Sequence, residues 1–70
     1  MNKQEYEKMT REDIANLVIK YRLTHNLSQI RLGQLCGVSR WTIARIESCT
    51  PINWRTALKV MYKLTHEAIL

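Results

Sequence analysis

Residues 29–48, QIRLGQLCGVSRWTIARIES, contain both glycines of this chain and limit its possible folds more than any other segment. Gly37 suits a tight turn between two short helices, because glycine readily takes the positive φ that other residues resist. Gly33 lies within the first of these helices, where a side chain would hold the second helix away. Helical spacing predicts that five apolar residues pack the two helices together: Leu32, Cys36, Val38, Ile43 and Ile46. The segment therefore predicts two short helices that cross closely around a turn.

The remainder of the chain also predicts helices. Thr10 and Asp13 form a capping-box pattern, and Asn53 follows the lone proline, Pro51, as a helix-starting residue. The predicted helices run over 11–24, 29–35, 40–48 and 54–64, with one further turn after residue 64. The last of them carries an apolar face made of Trp54, Ala57, Leu58, Met61 and Leu64. The predicted fold class is all-α, a compact bundle of four to five short helices that forms one domain over residues 1–70.

Charge is distributed unevenly along the sequence. The chain carries a net charge of +5, and residues 14–66 contain eight Lys or Arg residues but a single acidic residue, Glu47. A body this basic attracts polyanions through ion pairs with phosphates and release of their counterions. Charge alone fits either a nucleic acid or an anionic membrane surface.

Several function classes are disfavoured. Seventy residues leave little room for an active-site cleft, and the His, Cys and acidic residues show no catalytic or metal-binding spacing. We therefore expect no enzyme activity, no cofactor and no metal site, with Cys36 and Cys49 as reduced thiols. No apolar run reaches the roughly 18 residues that span a membrane, and the N-terminal residues lack the apolar core of a secretory signal. These features predict a cytoplasmic protein without a membrane partner.

The stretch LSQIRLGQLCGVSRWTIARIE, residues 27–47, resembles the phage repressor and Cro-like helix-turn-helix family, also called the XRE family. The shared pattern is leucine-serine-glutamine before the second helix, a small residue at Gly33, glycine-valine-serine in the turn, and isoleucine-x-x-isoleucine-glutamate at the end of the third helix. The spacing holds without gaps. Ser48 and Cys49 depart from the asparagine-glycine that usually follows, and the next loop is about one residue short.

The resemblance implies a recognition helix at 40–48 that enters the major groove of DNA. Subtracting the inward isoleucines leaves outward positions, and the implied base-contacting residues are Arg40, Trp41, Thr42 and Arg45. Arginine can bond guanine O6 and N7 with two hydrogen bonds, and threonine can contact a base edge or a thymine methyl group. For Trp41, packing against DNA, a protein interface and packing within the domain all remain open.

The resemblance also implies phosphate-contacting and structural residues. The implied phosphate contacts are Gln29, Ser39, Asn53 and Arg55, near helix starts whose free N–H groups suit anions. For each, an ordinary capping or surface role is the alternative. The implied structural residues are Arg22, Glu47, Gly33 and Gly37. Arg22 and Glu47 are expected to form an ion pair, since a partly buried unpaired carboxylate is costly.

The predicted function is a sequence-specific, DNA-binding transcription regulator of the repressor or Cro type, resembling the small regulators of temperate-phage lysogeny. Its predicted partner is double-stranded DNA, bound as a homodimer through the apolar tail at residues 68–70 and part of the last helix. The alternative is a modulator or antitoxin-like co-regulator that binds another repressor through the surface around Trp41.

Overall fold

The computed structural model describes residues 10–67, which form four α-helices. They are α1 (Arg11–Thr24), α2 (Gln29–Cys36), α3 (Arg40–Glu47) and α4 (Trp54–Glu67). This part of the chain contains no β-strand, so the all-α prediction is confirmed. The predicted tail interface at residues 68–70 lies outside the described residues. No helix in the described part is long and apolar enough to cross a membrane.

Each helix begins at a polar side chain that caps its first turn. The hydroxyls of Thr10, Ser28 and Ser39 each accept a hydrogen bond from the backbone N–H three residues later, at 3.0, 3.0 and 3.2 Å. Asp13 Oδ2 accepts a hydrogen bond from the backbone N–H of Thr10 at 3.1 Å, which completes the capping box. Asn53 Oδ1 accepts from a backbone N–H of α4 at 2.8 Å. Each cap contributes about 1 kcal/mol, which is substantial in a domain this small.

Three helices end in the same way, with a residue in the left-handed conformation just beyond the last turn. These residues are Asn26, Gly37 and Cys49, with φ of 55°, 70° and 62°. After α3 the backbone N–H of Thr50 donates to the carbonyl of Arg45 at 2.9 Å, and the N–H of Cys49 donates to the carbonyl of Ile46 at 3.1 Å. These are the two bonds that define a Schellman motif. Cys49 therefore occupies a position that normally favours glycine, so the departure of Ser48-Cys49 from the family pattern leaves the turn itself intact.

The core lies between the four helices, with α3 packed against both α1 and α2. The buried cluster consists of Ile14, Val18, Leu32, Cys36, Ile43, Ile46, Val60, Met61 and Leu64. Val60 is fully buried although the sequence pattern did not select it. Trp54 and Leu58, which that pattern placed on the apolar face of α4, are only half-buried. The buried face of α4 is therefore rotated toward Val60 relative to the prediction.

Three predicted helix ends differ from the structure. The second helix continues one residue further, through Cys36, and the third ends one residue earlier, at Glu47 rather than 48. The further turn expected after residue 64 is continuous with the last helix, which runs through Glu67. No proline or glycine follows residue 64 to stop α4. Two of its late side chains also bond to carbonyls of the preceding turn: Thr65 Oγ1 donates to Met61 at 2.9 Å, and His66 Nδ1 contacts the carbonyl of Tyr62 at 2.9 Å.

Gly33 lies where α2 crosses the start of α3. A Cβ atom added there would lie 2.8 Å from the carbonyl oxygen of Val38, 3.2 Å from the carbonyl carbon of Ser39 and 3.3 Å from the nitrogen of Arg40. All three neighbours are backbone atoms, so no flexible side chain could yield. The backbone N–H of Val38 also donates to the carbonyl of Gly33 at 2.9 Å. Without a side chain at Gly33, α2 and α3 pack backbone to backbone, and this fixes which face of α3 turns outward.

Candidate nucleic-acid interface

The outward face of α3 carries the residues that the family pattern implies for base contact. Arg40, Trp41 and Arg45 are exposed, and Thr42 is half-buried. The indole of Trp41 is 62% exposed, which makes it one of the most exposed large apolar side chains among residues 10–67. The opposite face holds Ile43 and its neighbours in the core. The fold thus presents a two-arginine, one-tryptophan surface to its surroundings.

Arg40 and Trp41 contact each other on this surface. The guanidinium carbon of Arg40 lies 4.6 Å from the centre of the Trp41 ring, within the range of a cation–π interaction. A guanidinium over an aromatic ring keeps its N–H edge free for hydrogen bonds in its own plane. The contact therefore restricts the orientation of Arg40 while leaving its donors available.

The start of α3 is organised by two hydroxyl groups. Ser39 Oγ accepts a hydrogen bond from the backbone N–H of Thr42 at 3.2 Å. A second hydrogen bond, 3.2 Å long, joins the hydroxyls of Ser39 and Thr42. Ser39 is thus a capping residue in this structure. Both hydroxyls are at the exposed N-terminal end of α3, where the helix dipole favours an anion.

A partly buried ion pair ties α1 to the end of α3. Arg22 Nε donates to Glu47 Oε2 at 2.8 Å and Arg22 Nη2 donates to Glu47 Oε1 at 3.1 Å, so the pair has two parallel bonds. The Arg22 and Glu47 side chains are 21% and 9% exposed. The hydrogen bond to Glu47, helped by its negative charge and opposed by burial, raises the pKa of Arg22 above its usual value. Arg22 Nη1 also donates to the carbonyl of Leu27 at 3.2 Å, which fixes the loop before α2.

Gln29 belongs to the same network, which sequence reasoning missed. Its Nε2 donates to Glu47 Oε1 at 3.2 Å. The signal was present in the sequence, because Glu47 is the lone acid of residues 14–66 and a carboxylate accepts more bonds than one arginine supplies. The charges in the sequence do not indicate which residue donates this additional hydrogen bond to Glu47, because that depends on where α2 begins relative to α3.

The start of α4 carries the two remaining phosphate candidates, which make local contacts. Asn53 Oδ1 accepts from the backbone N–H of Arg55 at 2.8 Å, so Asn53 caps the helix. Arg55 is exposed, and its guanidinium carbon lies 5.4 Å from the centre of the Trp54 ring. The structure thus separates the candidates into three groups: the α3 face, the Arg22–Glu47–Gln29 network and the start of α4.

Exposed basic side chains occur on all four helices of the described residues. Six basic side chains are exposed between residues 14 and 66: Lys20, Arg31, Arg40, Arg45, Arg55 and Lys59. The lone acid of that range, Glu47, is already neutralised by Arg22. Lys59 donates through Nζ to the carbonyl of Gly37 at 3.2 Å, which places a charge beside the turn between α2 and α3. The surface potential around the turn and α3 is consequently positive.

Potential metal ligands are not clustered within residues 10–67. No group of three His, Cys, Asp or Glu side chains in that range is placed to hold a metal ion. Cys36 is buried, Cys49 is exposed, and no disulfide joins either to another residue of this range.

Comparison with known proteins identifies a family whose sequence pattern this segment matches. Residues 18–48, from the middle of α1 to the residue after α3, match the family model described as Helix-turn-helix. A search of curated proteins gives no match. The matched segment contains the Gly33 crossing, the Gly37 turn and the exposed face of α3. Residues 18–48 are therefore similar to the helix-turn-helix family in sequence as well as in geometry, in agreement with the XRE-type pattern of residues 27–47.

Proposed function

We propose that this chain is a sequence-specific transcription regulator of the repressor or Cro type, which acts as one domain over residues 1–70. In this proposal α3 lies in the major groove of duplex DNA. The observation that carries it is the exposed Arg40–Arg45 face of α3, held outward by the close crossing at Gly33. A helix of this width fits the major groove, where all four base pairs can be told apart.

Base reading is assigned to the α3 face. Arg40 and Arg45 are exposed donors that can each take a guanine through two hydrogen bonds. Thr42 can contact a base edge or a thymine methyl group. The indole of Trp41 supplies an apolar surface for thymine methyls and sugars, and its contact with Arg40 limits the orientations that this arginine samples.

Phosphate contacts are assigned to the helix starts. Ser39 and Asn53 cap α3 and α4, and the exposed first turns of these helices offer backbone N–H groups to a phosphate. Arg55 adds an exposed charge beside Asn53. Gln29 begins α2 and belongs to the same proposed set. These contacts position the protein on the duplex without reading its sequence.

A homodimer on DNA completes the proposal. Two recognition helices about 34–36 Å apart would read two half-sites one turn apart. Tyr62 is 54% exposed on α4, which supports an interface on that helix. Small regulators of phage lysogeny of the Cro kind have the corresponding role.

The second candidate is a modulator that binds another repressor through the surface around Trp41. The 62% exposure of Trp41 favours it, since tryptophan is common at the centres of protein interfaces. Under this alternative, Trp41→Ala abolishes partner binding, and binding persists at high salt. Under the leading proposal, the same variant mainly changes DNA sequence preference.

The test is a selection of bound sequences from a random duplex pool, run at two salt concentrations. We expect a motif with two-fold symmetry, and binding that falls steeply with salt because phosphate contacts release counterions. Recovery of no common motif at either salt concentration would contradict sequence-specific binding. An enriched motif without two-fold symmetry would contradict the dimer alone.

A further inference from the structure

The carboxylate of Glu47 does more than pair with Arg22. It accepts three hydrogen bonds, two from Arg22 at 2.8 and 3.1 Å and one from Gln29 Nε2 at 3.2 Å. Its side chain is 9% exposed, so these bonds form largely out of water. The third bond connects the end of α3 to the first residue of α2.

This third bond fixes which way the Gln29 amide points. An ionised carboxylate can only accept, so the amide must turn its nitrogen toward Glu47. The reversed amide would set its oxygen against a carboxylate oxygen. One Nε2 hydrogen is therefore used by Glu47, and the second is held in a defined direction at the start of α2.

We propose that Glu47 is a positioning residue for DNA binding, which orients Gln29 so that its second Nε2 hydrogen donates to a phosphate oxygen. Arg22 neutralises the carboxylate, so that Glu47 does not repel the phosphate. This inference rests on the proposed function and assigns Glu47 a role in it beyond holding the fold together. Glu47 itself does not touch the DNA.

Net charge alone and the positioning role predict opposite effects of a Glu47 substitution on DNA affinity. Glu47→Gln removes one negative charge from a chain of net charge +5, which by itself strengthens attraction to DNA. An amide has a single oxygen, and the shortest contact, Arg22 Nε at 2.8 Å, retains it. The new NH2 group then faces Gln29 Nε2, donor against donor, and the Gln29 amide must turn over. The positioning role therefore predicts weaker DNA binding despite the more favourable charge.

The experiment is a double-mutant cycle of Glu47→Gln and Gln29→Ala, read by fluorescence anisotropy on a short mixed-sequence duplex. Glu12→Gln is the charge-matched control, because Glu12 is an exposed acid in the first turn of α1. Circular dichroism at the assay temperature checks that every variant is folded. We expect Glu47→Gln to weaken binding about five-fold, the effect of one hydrogen bond, while Glu12→Gln leaves it equal or tighter. In the Gln29→Ala background, Glu47→Gln should no longer weaken binding.

Binding of Glu47→Gln as tight as that of Glu12→Gln would overturn the proposal, and so would an equal five-fold loss in both backgrounds. If Glu47→Gln does not fold, the wild-type protein supplies the test through the side-chain amide NMR signals of Gln29. We expect a shift of one of its two amide proton signals when the duplex is added. Duplex binding without any shift at Gln29 overturns the positioning role and the phosphate contact assigned to Gln29, and leaves the rest of the proposed function standing. Absence of wild-type binding to any duplex at low salt overturns the proposed function as well.

Discussion

Gly33→Ala is the substitution whose cost follows most directly from the structure. The added methyl group would lie 2.8 Å from the carbonyl oxygen of Val38 and 3.2–3.3 Å from two further backbone atoms. Ordinary van der Waals contacts of a Cβ atom begin near 3.4 Å, so α2 and the start of α3 must move apart. Overpacking of this kind costs about 1–3 kcal/mol, and rigid backbone neighbours place this site at the upper end. Alanine regains about 1 kcal/mol of helix propensity over glycine, which leaves a net loss of about 2 kcal/mol.

The assay is thermal unfolding followed by circular dichroism. For a domain of this size, 1 kcal/mol shifts Tm by about 4–8 °C, so Gly33→Ala should lower Tm by about 8–16 °C. Gly33→Val adds two further methyl groups and should cost more. The local Ala-over-Gly preference is measured by comparing Gln34→Ala with Gln34→Gly, since Gln34 is the next residue of α2 and is exposed. If Gly33→Ala proved as stable as the wild type, the close crossing would not be what orients α3.

Three further substitutions have defined outcomes. Cys49→Gly should raise stability by about 1 kcal/mol in thermal unfolding, because a side chain with φ of 62° is strained, whereas Asn26→Gly should change little; a destabilised Cys49→Gly would refute the strain. Glu47→Ala should lower the free energy of unfolding by about 3 kcal/mol in urea titrations, since it leaves Arg22 partly buried and unpaired, and a loss under 1 kcal/mol would show the pair to be marginal. Arg45→Ala should cost about 1–3 kcal/mol in DNA binding and relax sequence preference at one position. Arg31→Ala, an equal change of charge on α2, should weaken binding to all sequences slightly, and equal effects of the two variants would count against base reading by Arg45.

Helix positions were predictable because the start and stop signals are local. The capping residues Thr10, Ser28, Ser39 and Asn53 act within three residues of their own position, and the structure uses each of them to start a helix. The end of α4 was less predictable, since no glycine or proline marks it. Where a local signal is missing, hydrogen bonds within the helix and packing decide its length.

Contacts between helices were predictable only in part. The apolar period named most of the core, but Val60 became buried because the rotation of α4 is set by the whole bundle. The Arg22–Glu47 pairing was implied by family resemblance, because nothing local in the sequence joins two residues on α1 and α3. The bond from Gln29 to Glu47 depends on a distance between two helix ends, which periodicity does not encode.

Cys49 illustrates a conformation that residue type alone argues against. Left-handed backbone geometry favours glycine or asparagine, and Asn26 and Gly37 follow that preference. The hydrogen bond from Thr50 to the carbonyl of Arg45 holds Cys49 in the same geometry. The hydrogen bonds that end α3 therefore determine the backbone conformation of this turn, although Cys49 is strained in it.

Whether the outward face of α3 meets DNA can be read residue by residue from backbone amide NMR during titration with a duplex recovered by selection. We expect the largest shifts on residues 39–45, with smaller ones at the starts of α2 and α4 and around Tyr62, where the dimer interface is proposed. Shifts concentrated on 60–66, with 39–45 unchanged, would contradict this expectation.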